Sequence, residues 1–288
     1  MSILEAVVLG VVQGLTEFLP VSSTAHLRIV PAVFGWADPG AAFSAVLQTG
    51  TLAAIVLAMR RDLADLSAGC LRALRAGRPL GTPEARLTAL IAVGTVPIVV
   101  AGFAFRSLIR GEARRLEVVI SALLAATILL MAAELITTLR GRHGRGGGRD
   151  GLGAIRPGDG LTMGLAQALA LIPGTSRSGV TIAAGMLAGL DRRTAARFSF
   201  LLSLPAVAAA ALLEAWQQRH EILGSGPAVA ALAAGTLAAA VVGYASIRWL
   251  LGMLTGHTLW PFIAYRLALA ALLAWSLATG GVSLTVPA

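Results

Sequence analysis

Apolar residues along this chain fall into long runs, with few of the alternating or three-four patterns of water-soluble strands and helices. Six uninterrupted runs, at roughly 41–59, 87–105, 116–139, 197–216, 228–251 and 262–280, are each near the length of a helix that crosses a bilayer. They are built mainly from Ala, Leu, Val and Ile, and their many small residues predict close helix packing in lipid.

Two other apolar stretches do not fit a single crossing. Residues 3–36 are interrupted by Pro20 and Pro31 and carry Gln13, Glu17, His26 and Arg28. Residues 161–190 are interrupted by Pro173-Gly174 and carry Arg177. Each predicts a re-entrant pair of half-helices, since broken backbone at membrane depth must be buried in protein or line a wet cavity. The two stretches resemble each other. Gly10-Val-Val-Gln13 leads to Pro20 and Val-Ser-Ser-Thr, and Gly164-Leu-Ala-Gln167 leads to Pro173 and Gly-Thr-Ser-Arg-Ser. Phe43-Ser44 and Phe198-Ser199 then open the next runs.

The expected architecture is therefore an all-α polytopic membrane protein. A single membrane domain, 1–288, divides into repeat one at about 1–139, a flexible basic linker at about 140–160, and repeat two at about 161–288. Each repeat is one re-entrant helical hairpin plus three transmembrane helices. Three crossings is an odd number, so the repeats have inverted topology, an arrangement that places a site near the bilayer midplane.

Composition agrees with the pattern. Of the 288 residues, 57% are hydrophobic and 13% charged, about half the charged share of a soluble domain. All 23 basic residues are arginine, and the net charge is +9. With 5% aromatic residues and no basic-aromatic patch, the charge reads as loop arginine beside a membrane, and no nucleic-acid partner is expected. Fourteen arginines lie on one side, in loops 60–86 and 140–160 and at Arg192, Arg193 and Arg197. Five lie on the other, at Arg106, Arg110, Arg114, Arg115 and Arg219. The richer side is expected to be cytoplasmic, with both termini and the first hairpin's entry outside. Cys70 reads as a lone residue of a polar loop, and the N-terminus lacks the marks of a cleaved signal.

Ionisable groups within apolar stretches mark function. Gln13 and Glu17 share a helix face, and Ser23 and His26 are neighbours three apart. Ser22 and Thr24 can cap the second half-helix. Carboxylate, hydroxyl and imidazole within one short stretch supply nucleophilic or acid–base chemistry. The expected catalytic set is Glu17, Ser23, His26 and Arg177, with Ser23 as nucleophile and His26 as its base; the rival is water activated by Glu17. Gly174, Ser176, Arg177, Ser178 and Thr181, with Ser22 and Thr24, form the expected phosphate cradle. It combines a helix start, hydroxyls and a guanidinium fork. Gln48 is a secondary candidate. His143, His220 and His257 read as loop bystanders, and Glu134 and Glu214 as helix-end residues in reach of water. Nucleotide-binding, His-Glu-x-x-His and Cys-x-x-Cys motifs are all absent.

These motifs resemble those of the undecaprenyl-diphosphate phosphatase family, the bacterial bacitracin-resistance proteins. The resemblance rests on Gln13-x-x-x-Glu17, on Pro20 to Leu27 with Ala25 in place of the family's glycine, and on Pro173 to Thr181. It extends through Leu47-Gln-Thr-Gly50 and Phe198 to Leu202, and so covers essentially the whole chain. It implies an integral phosphatase of the bacterial cytoplasmic membrane with its site open to the periplasmic side. Such an enzyme hydrolyses undecaprenyl diphosphate to undecaprenyl phosphate and phosphate, with Mg²⁺ or Ca²⁺ as cofactor, for which Glu17 and Gln13 are the candidate ligands. It recycles a lipid carrier for the cell wall, and it gives resistance to bacitracin, which competes for the substrate. The lipid phosphatases with a histidine nucleophile fit poorly: no lysine is present, and no histidine follows Ser176-Arg177 until His220. A transporter or flippase of an isoprenoid phosphate lipid is the alternative from another class, because inverted repeats also build transporters.

Overall fold

The computed structural model describes residues 1–37, 40–105, 108–109, 115–142, 148–217 and 226–279. Eleven α-helices account for most of them. They are α1 (Ile3–Phe18), α2 (Ser23–Phe34), α3 (Gly40–Ala58), α4 (Arg60–Arg75), α5 (Pro83–Ala104) and α6 (Leu116–Arg142). After a short 3₁₀ turn follow α7 (Pro157–Leu169), α8 (Arg177–Leu187), α9 (Arg192–Gln217), α10 (Gly226–Met253) and α11 (Trp260–Thr279). Five of these, α5, α6, α9, α10 and α11, contain stretches long and apolar enough to cross a membrane. The expected run at 41–59 is α3, whose apolar described part is Val46–Ala58.

The interrupted stretches form two helical hairpins. At 1.5 Å per residue, the 16-residue α1 reaches about 24 Å and the 11-residue α8 about 16 Å, both short of a hydrocarbon core of about 30 Å. A capping box between Ser2 and Glu5 starts α1, and extended Leu19 before Pro20 ends it. Pro157 and the Asp159 carboxylate, which accepts the Arg156 amide at 2.7 Å, start α7. Pro31 does not break the first stretch as expected. It lies inside α2, which runs one further turn before left-handed Gly35 ends it.

Glycines seat each hairpin against a helix of the other half of the chain. A Cβ on Gly10 of α1 would stand 2.1 Å from the Gly235 carbonyl oxygen of α10, and one on Gly164 of α7 would stand 2.4 Å from that of Gly94 of α5. The halves thus exchange helices, with α1 along α10 and α7 along α5. The largest buried cluster spans both, and Phe18 of α1 meets Phe200 of α9 edge to face at 5.6 Å.

Three loop expectations change. Segment 60–86 holds the helix α4, which turns Asp62, Leu66, Gly69 and Ala73 inward, so Cys70 is helical. The described part of the linker is docked: Arg149 binds Asp159 through its two terminal guanidinium nitrogens at 2.7 and 2.8 Å, and its backbone pairs with Gly189 and Asp191. Glu134 does not reach water. It is fully buried, paired with Arg192, and accepts the Leu259 amide at 3.2 Å. Exposed His257 sits between α10 and α11, as expected of a loop bystander. The expectations for Arg106, Arg110, Arg114, Arg145, Arg219, His143 and His220, and for the Glu214 side chain, fall outside the described residues.

Candidate active site

The hairpin tips meet. Ser22 precedes α2 and Ser176 precedes α8, and they share one unusual backbone conformation, φ 75° with ψ 94° and φ 69° with ψ 106°. Among the described residues they alone hold a positive φ without being glycine. Backbone of this kind costs about 1–3 kcal/mol and persists where its surroundings hold it. The surroundings here are cross-hairpin bonds: Ser178 Oγ donates to the Leu19 carbonyl at 3.0 Å, and Arg177 reaches back to Glu17.

Glu17 is the hub. Its Oε1 accepts from Arg177 at 2.6 Å. Its Oε2 accepts from Ser23 Oγ at 2.7 Å and from Gln13 Nε2 at 3.0 Å. The Glu17 side chain is 8% exposed and that of Arg177 16%, so the pair is largely withdrawn from solvent and still open on one side. The opening is a cavity of about 170 Å³, room for about five or six waters at liquid density. Glu17, Ser22, Ser23, Thr24, Gln48, Gly174, Ser176 and Arg177 line it. The starts of α2 and α8 both border it, which adds backbone amide groups and helix-dipole charge to the guanidinium. Apart from Thr16, its remaining wall is apolar, with Ile98 of α5 and Ala206, Val207 and Ala210 of α9 among its residues. Polar floor and apolar wall suit a ligand with an anionic head and a hydrocarbon tail.

Several expected residues stand elsewhere. Ser178 and Thr181 are buried behind the cavity. Ser178 ties the two tips, and Thr181 bonds the Arg177 carbonyl at 2.8 Å and Ser199 at 2.5 Å. Thr181 follows Arg177 by one helical turn, so its hydroxyl closes on that turn and cannot face the opening. The Ser23–His26 pair is not formed. His26 Nδ1 meets the Ser22 carbonyl at 2.7 Å and Nε2 meets the Tyr265 hydroxyl at 2.6 Å, while Ser23 turns to Glu17.

Comparison with known proteins gives this geometry a lineage. The family model described as bacitracin resistance protein BacA matches residues 6–272. The chain belongs to that family. A protein of Chlorobaculum tepidum named undecaprenyl-diphosphatase is 50% identical over 280 residues, covering 97% of this chain and 99% of that protein. Proteins of the same name from Chlorobium phaeobacteroides and Prosthecochloris aestuarii are 48% and 46% identical, over 93% and 98% of this chain and 95% and 99% of those proteins. The family match spans both hairpins and every helix that borders the cavity.

Two residues of α11 join the site that the motifs did not point to. Arg266 is fully buried. It donates to the carbonyls of Pro20 and Thr175, both at 3.1 Å, and so pins both tips; it also binds Thr127 Oγ1 at 2.7 Å and the Leu123 carbonyl at 3.0 Å of α6. Tyr265 is the partner of His26. A charge inside an apolar run was the available signal for Arg266. Tyr265 gave none, because a tyrosine in a membrane helix is unremarkable.

For the divalent cation that the resemblance implies, the donors are few. No cluster of three or more His, Cys, Asp or Glu occurs among the described residues. Glu17 is one carboxylate, and Gln13 Oε1 is buried with no hydrogen-bond partner. Gln13 does not line the cavity and turns its amide nitrogen to Glu17, so Glu17 is the donor that faces the opening; one carboxylate fits a cation that arrives with substrate phosphates, the usual habit of Mg²⁺, and not a resident all-protein cage.

Proposed function

We propose that this chain is an undecaprenyl-diphosphatase that cleaves the terminal phosphate from undecaprenyl diphosphate in the bacterial cytoplasmic membrane. The observation that carries the reading is Glu17, held between the Ser23 hydroxyl and the Arg177 guanidinium in a cavity with an apolar wall. The relatives' names support the same activity.

In this mechanism the diphosphate lies on Arg177, Ser176, Thr24 and the amide groups that start α8. Its tail leaves past Ile98 and Ala206. Fixed positive charge at the transferring phosphoryl group supplies most of the catalysis. Glu17 takes the proton of Ser23 as Oγ attacks the terminal phosphorus. Undecaprenyl phosphate departs with the bridging oxygen, and Glu17 passes its proton to a departing phosphate oxygen. Glu17 then takes a proton from water, whose oxygen attacks the phosphoserine; the P–Oγ bond breaks, Glu17 gives that proton back to Ser23 Oγ, and free phosphate leaves. A divalent cation held by Glu17 would add charge neutralisation on the phosphates, with Gln13 as a further ligand only once its amide turns its oxygen to the cation. The product re-enters cell-wall synthesis, and abundant enzyme confers bacitracin resistance by draining the lipid that the antibiotic binds. The matched serine conformations and the exchanged helices support inverted repeats. The arginine balance supports a site open to the outer side.

The test is phosphate release from undecaprenyl diphosphate by purified, detergent-solubilised protein, with and without Mg²⁺. Release that Glu17→Ala and Arg177→Ala both abolish is the expected result. Folded protein that releases none would overturn the enzyme reading and turn attention to lipid transport in vesicles. Trapping phosphate on Ser23 separates serine attack from direct attack by water.

A further inference from the structure

His26 has no nitrogen left for acid–base work. A carbonyl oxygen only accepts, so the 2.7 Å contact between Nδ1 and the Ser22 carbonyl puts the ring proton on Nδ1. In the neutral ring Nε2 is then an acceptor, and the Tyr265 hydroxyl donates to it at 2.6 Å. The two rings lie nearly parallel, 14° apart with centroids separated by 5.7 Å, which fixes the imidazole about both contacts. His26 is 9% exposed and does not line the cavity.

The chemistry does not call for it either. Undecaprenyl phosphate leaves as a phosphate monoester, whose second pKa is near 6, so its departure needs no strong general acid. The proton of Ser23 is already directed at Glu17.

We infer that His26 is a positioning residue: its Nδ1–H holds the Ser22 carbonyl, with Tyr265 bracing the ring at Nε2, so that the next residue, Ser23, presents its hydroxyl to Glu17. The inference deepens the phosphatase reading and rests on it for its kinetic part. It gives the strained φ of 75° at Ser22 a cause. Adjacent residues of α11 grip one short piece of the first hairpin, Arg266 at the Pro20 carbonyl and Tyr265, through His26, at the Ser22 carbonyl. Tyr265 and Arg266 are the titratable groups that α11 brings to this segment.

The experiment uses full-length protein in two measurements. Asparagine carries an amide N–H close to the position of Nδ1–H, and glutamine places one nearer Nε2. In the kinetic measurement, undecaprenyl diphosphate turnover is followed against pH for wild type, His26→Asn, His26→Gln and Tyr265→Phe. His26→Asn should lower kcat by no more than about tenfold and keep both limbs of the pH profile. Loss of a general base costs about 10²–10⁴-fold and removes its limb. His26→Gln should lose more than His26→Asn. Tyr265→Phe should lower kcat with little change in KM. A loss above a hundredfold in His26→Asn, together with a missing limb, would overturn the inference.

The second measurement does not depend on turnover. Nitrogen-15 spectra of histidine-labelled protein read the tautomer directly, and with four histidines in the chain the His26→Asn spectrum identifies the His26 signals. Wild type should show Nδ1 protonated and Nε2 bare, with Nε2 shifted in Tyr265→Phe. An Nε2–H tautomer, or a spectrum indifferent to Tyr265→Phe, would refute the inference even if the protein proved inactive on the lipid.

Discussion

Arg177 and Glu17 lie far apart in the chain and close an ion pair of 2.6 Å where the two hairpins touch. The pair is the point at which the halves of the molecule become one site. The guanidinium uses one nitrogen on Glu17, which leaves donors for a phosphate in the cavity.

Replacing Arg177 should therefore remove a charge-assisted clamp from the transferring phosphoryl group. Arg177→Ala is expected to lower kcat by about 10³-fold or more, the scale at which arginine acts in phosphoryl transfer. Arg177→Lys keeps the charge without the planar fork and should not restore wild-type turnover. Phosphate-release kinetics on both variants check this, and a lysine variant as fast as wild type would refute the bidentate role.

Arg266 should be more costly to stability than Arg177. Its removal strands the carbonyls of Pro20 and Thr175, one at each tip, whereas Thr127 and the Leu123 carbonyl keep their bond to each other. Each buried acceptor left unpaired costs about 1–3 kcal/mol. Arg266→Met should lower the unfolding temperature in detergent and abolish turnover, whereas Arg177→Ala should abolish turnover with a smaller thermal shift. Equal thermal shifts would contradict the difference in roles.

Much of this site was legible in the sequence because buried charge needs a reason. That rule singled out Glu17 and Arg177, and proline breaks located both tips. The same rule, applied inside the run at 262–280, would have found Arg266, but an otherwise apolar run masked one arginine. Glu134 was misread for the opposite reason: a place near a helix end suggests solvent, and its partners Arg192 and Leu259 arrive from elements distant in sequence. The helix α4 was readable from the spacing of Asp62, Leu66, Gly69 and Ala73, which its many charges obscured. Which partner His26 takes was not readable, since Ser23 and Tyr265 are both chemically suitable and only the fold decides.

The glycine contacts predict selective intolerance. Gly10→Ala and Gly164→Ala drive a methyl into backbone carbonyls at 2.1 and 2.4 Å, and overpacking of this kind costs about 1–3 kcal/mol or more. Gly102→Ala meets only leucine methyls at 3.9 and 4.0 Å, and its higher helix propensity should hold stability level or raise it. Thermal unfolding of the three variants tests the contrast.

The docking of the linker depends on pH. Burial opposes the charge of Asp159, but the Arg149 fork and the Arg156 amide override it and hold the carboxyl below the ordinary aspartate range. A folded-state pKa lowered in this way gives stability that is present above the unfolded value of about 3.9 and is lost as pH falls through the folded one. Wild type should therefore resist proteolysis near residues 148–160 better than Asp159→Asn at neutral pH. The advantage should shrink as pH falls below about 4. A difference that does not vary with pH would refute the linkage.

The exchange of helices between halves has a consequence for how the protein is made. During synthesis α1 emerges long before α10, against which its glycines lie, and the first hairpin appears before Arg266 exists to pin it. The candidate site therefore has no precursor on the ribosome. Activity should arrive in a single step, once α11 has entered the bilayer, so that nascent chains interrupted before that helix are inert.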